Sequence, residues 1–98
     1  MSVAQQIILG ATTGAVNSAP FSQSAADGPC TLVAGGLGAS ETATVQIQDA
    51  AGNWQNAPAA LAAQMTQTVP AVVLTAPGIY RVVKTATAVA VGVALYRI

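Results

Sequence analysis

Charge is what this sequence has least of. Three acids (Asp27, Glu41, Asp49) and three bases (Arg81, Lys84, Arg97) make up 6% of its residues and cancel, where ordinary domains carry about 25%. A surface this neutral does little to keep copies of a chain apart. Two readings fit: a surface covered by other copies or another protein, and a monomer solvated by its Gln, Asn, Ser and Thr. The low charge favours the first. Nucleic acid needs several Lys or Arg to displace counterions from phosphates. No basic run or aromatic stacking platform is present, which argues against that partner.

Histidine is absent altogether, which removes a Ser-His-Asp arrangement and any His-based metal site. Cys30 is the one cysteine. It has no partner for an internal disulfide and no histidine to activate it, so it reads as a small buried apolar residue. Acid/base chemistry would have to draw on Asp27, Glu41 and Asp49. The two aspartates sit in turns, where they commonly bond the local backbone. The D-A-A-G-N stretch at residues 49–53 offers one carboxylate, too few for calcium. Gly35, Gly36 and Gly38 break the chain, but the Lys-Ser/Thr and helix of a phosphate loop do not follow. No catalytic residue, metal site or cofactor is expected, and the chain is not expected to be an enzyme.

Long hydrophobic runs are also missing. Residues 86–95 form the longest, about half of the ~20 needed by a membrane-spanning helix, so no membrane partner is expected. No basic residue precedes the first apolar patch, so no secretory signal is expected and nothing directs the chain out of a cytoplasm. Disorder is not expected either, since 53% of residues are apolar.

What the sequence has is period-two alternation, the signature of strands. Val89, Val91, Val93 and Leu95 recur every second residue at the carboxyl end, with Ala88, Ala90, Gly92 and Ala94 between them. The valine set is expected to face the core. The small set leaves room for another sheet or subunit to approach. Residues 79–84 (I-Y-R-V-V-K) are β-branched and aromatic and follow a Pro77-Gly78 turn, so the two runs together read as a C-terminal β-hairpin. The cleanest strand is residues 41–48, with Ala43, Val45 and Ile47 on one face and Thr42, Thr44, Gln46 and Gln48 on the other. That is an antiparallel sheet with one wet face. Residues 49–53 turn it, Gly52 and Asn53 tolerating positive φ, and residues 54–57 return antiparallel. Trp54 would then cover the core edge or the neighbouring strand.

Further strands are expected at residues 3–9, 20–24, 30–34 and 71–75, with a loop over 10–19. Residues 59–67 lie between Pro58 and Pro70. They read as a strand or extended loop with Leu61, Ala63 and Met65 on one side, the alternative being a helical turn that buries Leu61 and Met65. The expectation is one domain over residues 1–98, all-β, an antiparallel β-sandwich or jelly roll of seven to eight short strands. Residues 1–19 are open to a second reading as an extended N-terminal arm. Five residues are candidates for an interface: Glu41, Trp54, Tyr80, Arg81 and Lys84. Arg81 shares a face with Ile79 and Val83, while Tyr80, Val82 and Lys84 share the other. Charges in so neutral a chain could fix register with a partner subunit. The alternatives are a solvated sheet face, its lysine blunting an edge strand, and an ion pair of Glu41 with Arg81 or Lys84.

Residues 36–54 (G-L-G-A-S-E-T-A-T-V-Q-I-Q-D-A-A-G-N-W) look like a G-L-x-G-x-E-x-x-x-V-x-x-x-D-x-x-G-x-W pattern, with Ala39 where its second glycine would stand. With P-G-I-Y-R-V-V-K at 77–84 and A-V-G-V at 90–93, the last two-thirds of the chain resembles small virion proteins of tailed bacteriophages. The resemblance implies a β-sandwich or jelly roll that decorates or cements the capsid, commonly as a homotrimer bridging capsomers. Its partners would then be its own copies and the major capsid protein, and its place the capsid surface of the virion. Related small β-domains serve in phage tails, fibres or receptor binding. A carbohydrate-binding module, with Trp54, Tyr80 or Tyr96 stacking on a sugar, is the reading from another class.

Overall fold

Alternating apolar residues bury one face of a strand, and a sheet made of such strands must cover that face with a second sheet. Among the described residues this chain does so with nine strands in two antiparallel sheets, a β-sandwich. The computed structural model describes residues 4–97; Val3 and Ile98, which the expected strands included, lie outside them. The strands are β1 (Ala4–Thr12), β2 (Val16–Asn17), β3 (Phe21–Gln23), β4 (Cys30–Val33), β5 (Ala43–Gln48), β6 (Trp54–Asn56), β7 (Ala71–Leu74), β8 (Gly78–Lys84) and β9 (Val91–Arg97). One sheet runs β1-β9-β4-β7. The other runs β2-β8-β5-β6, with β3 also pairing β8. Among the described residues there is no α-helix, only a 3-10 turn at Ala25–Asp27.

The core is the single layer between the sheets. Leu32, Met65, Leu74, Tyr80 and Val82 are fully enclosed, with Val45, Val91, Val93 and Leu95 at 1–2% exposure. Register explains the layering. Leu95 pairs Leu32, which pairs Val72, giving an inward row across three strands. One step along, Tyr96, Thr31 and Val73 form the matching outward row. Polar groups that the layer encloses are paired. Ser18, between β2 and β3, donates its N–H to the Val82 carbonyl at 2.8 Å and accepts the Val82 N–H on its hydroxyl at 2.8 Å. The chain thus keeps its ladder along β8 where strand pairing lapses.

The expected C-terminal hairpin is not formed. β8 lies in one sheet, paired to β2, β3 and β5; β9 lies in the other, between β1 and β4. Residues 85–90 cross from one sheet to the other. The two strands still share a core, but from opposite sides of it. Thr87 anchors the crossing by accepting from the Lys84 ammonium and donating toward the carbonyls of Thr12 and Val89. Val89 belongs to this crossing and is 56% exposed. Its expected place in the core is therefore wrong, while Val91, Val93 and Leu95 are buried. The real hairpin is β5–β6, where Gln48 pairs Trp54 around a turn with Gly52 at φ 88°.

Strand β1 continues to Thr12, past the expected end at Leu9, because β9 offers pairing along its whole length. Two irregularities make the match. Ile7 pairs Ala94 and Leu9 pairs Val93, leaving Ile8 as the extra residue. In a regular strand Ile7 and Leu9, two residues apart, would share a face. With the bulge, Ile7 points out at 60% exposure and Leu9 points in at 4%. Gly10 and Ala11 then stand opposite Gly92 alone. A Cβ on Gly92 would lie 2.7 Å from the Leu9 carbonyl oxygen and 2.9 Å from the Ala11 nitrogen, so the bulge requires glycine there. Residues 59–67 make a turn and then an isolated bridge from Met65 to Ala43. The turn is helical in its bonding, the Ala62 N–H reaching the Pro58 carbonyl. Ala62 and Met65 are buried and Ala63 is exposed, so Ala63 does not share a side with Met65.

Two substitutions separate the crossing from the core. Val91→Asp buries an unpaired carboxylate at a cost of several kcal/mol, much of a typical stability of about 5–15 kcal/mol, and circular dichroism should show an unfolded or barely stable chain. Val89→Asp should shift stability by no more than about 0.5 kcal/mol. Equal damage from both would place Val89 back in the core.

Candidate interaction surfaces

The sandwich presents two broad outer faces, and the five candidate residues divide between outside and inside. Arg81, on the outward phase of β8, sits with its guanidinium carbon 4.6 Å from the centroid of the Trp54 ring, a cation–π distance. Its Nε donates to Gln46 Oε1 at 2.8 Å, and Gln46 Nε2 donates to Asn56 Oδ1 at 2.9 Å. The register that pairs Arg81 with Gln46 and Gln46 with Asn56 puts this chain of contacts on one row of the β2-β8-β5-β6 sheet. Trp54 is half-buried beside it.

Tyr80 and Lys84 lie on the inward phase of β8 and are enclosed at 0% and 1% exposure. The Tyr80 ring stacks on Phe21 with centroids 6.1 Å apart, and its hydroxyl donates to the Ala76 carbonyl at 2.8 Å. Burial pushes its pKa up. The Lys84 ammonium donates to the Thr85 carbonyl at 3.0 Å and to Thr87 Oγ1 at 3.1 Å. Neither side chain offers surface to a partner. Glu41 is half-buried and pairs with neither Arg81 nor Lys84. Its two oxygens instead accept backbone N–H groups, from Gly38 at 2.6 Å and Ala88 at 2.8 Å. This ties the glycine-rich turn to the crossing between the sheets.

The remaining charges are committed in the same local way. Arg97 donates to Gln23 Oε1, and Gln23 in turn donates to the carbonyls of Gly28 and Leu74. Asp27 accepts the backbone N–H and the hydroxyl of Ser24, and these bonds hold its carboxyl below the usual range. Asp49 accepts the N–H groups of Asn53 and Ala51 and the Gln55 amide, and the Asn53 bond, followed by Gln55, lowers its pKa. Cys30 is buried, and desolvation raises its pKa so that the thiol stays neutral. Among the described residues no group of three or more Cys, Asp or Glu is placed to hold a metal.

The other broad face carries Gly92 and Ala94 of the small set expected to leave room for another sheet or subunit, together with larger apolar residues that the sequence did not place there. Two rows cross the outside of the β1-β9-β4-β7 sheet: Gln5, Tyr96, Thr31, Val73, and Ile7, Ala94, Val33, Ala71. Neither row holds a charge. Ile7 and Val73 are 60% and 58% exposed. Between the strands lies an open hollow of about 430 Å³ walled by Ile7, Val33, Gly35, Gly92 and Ala94, a volume within the range of small-ligand sites.

The two aspartates give the fold a defined response to acid. A carboxyl whose folded pKa is depressed stabilises above its unfolded pKa, and that contribution is lost as pH falls through the folded value. The urea midpoint should stay level from about pH 7 to 5 and decline below about pH 4. The double variant Asp27→Asn, Asp49→Asn should decline less steeply; an unchanged slope would show that these bonds do not couple to folding. In comparison with known proteins, no family model, no curated protein and no solved structure matches the chain.

Proposed function

We propose that this chain is a non-enzymatic structural protein of a tailed-bacteriophage virion. In this reading it is a decoration or cement subunit that binds the assembled capsid shell as a homo-oligomer. The observation that carries the reading is the surface. Ile7, Val73 and Val89 are each more than half exposed, and the six charged side chains are bonded locally, to turns, backbone groups, a glutamine amide and an aromatic ring. A protein that works free in solution keeps charges on its faces to repel its copies; a subunit whose faces are covered does not need them. The sandwich fold and the resemblance of residues 36–54, 77–84 and 90–93 to phage virion proteins support the same reading. The mechanism is mass action. A subunit that binds the closed shell and not its dissociated parts stabilises the shell by its binding free energy.

Trp54 supports a second reading, a tail, fibre or carbohydrate-binding module, because its half-buried ring lies beside the amides of Gln46 and Asn56. Against it, Arg81 already occupies one face of that ring, which leaves less of it for a sugar.

Co-sedimentation of the purified chain with capsid shells lacking it should deplete the chain from the supernatant in a saturable way and raise the temperature at which the shells open. Absence of binding, with glycan binding that is lost in a folded Trp54→Ala variant, would replace the first reading by the second.

A further inference from the structure

We infer that residues 4–9 of β1 form a releasable strap, which leaves β9 as one unit while the rest of the sandwich stays folded. The inference goes beyond the reading above and does not rest on it.

Burial comes first. β1 pairs with β9 and with no other strand. From Gln5 to Leu9, Leu9 alone is buried; Ile8 is half-buried, and Gln5, Gln6 and Ile7 are exposed. The segment's one side-chain hydrogen bond among the described residues, from Gln5 Nε2 to the Tyr96 hydroxyl at 3.0 Å, is exposed too. Ile7 borders the open hollow on the outer side of the sheet. The segment is thus held by its ladder and a single core residue. Few buried apolar contacts and solvent-exposed backbone bonds mark the part of a fold that opens first. β4 is the contrast, since it buries Cys30 and Leu32 and is paired on both sides.

The strap has a fixed end. Gly10 and Ala11 are exposed and stand opposite Gly92 alone. A Cβ built on Gly10 meets nothing within 4 Å, so the backbone has room to turn there. Directly after them the chain is pinned. Thr87 donates its hydroxyl to the Thr12 carbonyl at 3.3 Å and its N–H to the Thr13 carbonyl at 2.9 Å. Release therefore stops at Thr12. β9 does not depend on the strap, because Ala94, Leu95 and Tyr96 pair with β4, Val91 pairs with Thr12, and Val91, Val93 and Leu95 are buried in the core. Opening turns β9 from an inner strand into an edge, with N–H and C=O groups unpaired on that side.

Gly92 sets the grip. The Leu9 carbonyl oxygen and the Ala11 nitrogen, 2.7 Å and 2.9 Å from a Cβ at position 92, are backbone atoms at the strap's end. Gly92→Ala is therefore relieved when the strap leaves. Release also caps the damage. Once the strap is off, neither a methyl group at position 92 nor the loss of the Leu9 side chain costs anything further.

Residue-resolved hydrogen exchange of the full chain tests this. In the wild type, the amides of residues 5–9 that bond to β9 should exchange at one common opening rate, at least about 100-fold faster than those of β4 and β5. Gly92→Ala should bring them close to the rate of an unstructured chain while circular dichroism keeps its sheet signal; Gly10→Ala should leave the strap in place. The double variant Leu9→Ala, Gly92→Ala should have the same urea midpoint as Gly92→Ala alone, a failure of additivity that release requires. Exchange of residues 5–9 in step with β4 and β5 in the wild type would overturn the inference. So would loss of the whole fold in Gly92→Ala, or a double variant whose midpoint lies clearly below that of the single one.

Discussion

Everything in this fold follows from one apolar layer shared by two sheets. Leu32 and Leu95 face it from one side, Val45, Tyr80 and Val82 from the other, and all are buried. Because strand side chains alternate, each residue given to that layer places its neighbours on an outer face. The chain crosses between the sheets repeatedly, with β5–β6 its direct hairpin. The layer is therefore assembled from strands far apart in sequence, β1 with β9 and β4 with β9 among them. Such long-range pairing predicts slow folding relative to helical domains of similar size.

The few charges act on this layer from its ends. Glu41 holds the glycine-rich turn to the sheet crossing by two backbone N–H groups, Lys84 and Thr87 close the same end, and Arg97 with Gln23 closes the other. Glu41 and Lys84 bond backbone groups where the chain leaves a sheet, and Gln23, held by Arg97, bonds the carbonyls of Gly28 and Leu74. Side chains used in this way leave nothing to decorate the β1-β9-β4-β7 face. Its two outward rows hold no Asp, Glu, Lys or Arg, and their polar groups are those of Gln5, Thr31 and Tyr96, with Gln5 Nε2 donating to the Tyr96 hydroxyl at 3.0 Å.

How much of this was legible depended on whether a strand had one apolar face or two. β5 reads plainly, because Thr44, Gln46 and Gln48 alternate with Ala43, Val45 and Ile47, and the Asp49–Asn53 turn follows. β8 reads as well, down to which phase holds Arg81. The C-terminal hairpin misread had a physical cause: period two tells which residues face a core, not from which side. Val89 carried the same period as Val91, but lies in the crossing and not in β9. The strand expected at residues 3–9 is β1, which runs on to Thr12, but its bulge at Ile8 shifts the phase without a composition signal. Of the outer face, the small residues Gly92 and Ala94 were legible as a place of close approach, while its larger apolar residues were missed for a related reason. Val33, Ala71 and Val73 look like core residues in a list of amino acids. The available signal was the pairing of apolar residues in both phases, as in Ile7-Ile8-Leu9 and Ala71-Val72-Val73-Leu74, beside the polar alternation of β5. Tyr80 and Lys84 carried chemistry that suggested a surface, while their phase on β8 placed them inside.

Small-angle X-ray scattering of the chain alone tests the central claim, that copies of this chain cover one another's broad faces, because the distance between copies reports which surfaces meet. A single chain has a Cα radius of gyration of 12.8 Å. Two copies joined through their broad faces sit one thickness apart and should give about 17 Å, whereas copies joined at their edges should give about 22 Å, as compact bodies of this size at those separations. A value near 17 Å that falls toward the single-chain value on dilution is the predicted result. A value near 22 Å, or one that stays at the single-chain value at high concentration, would contradict the account.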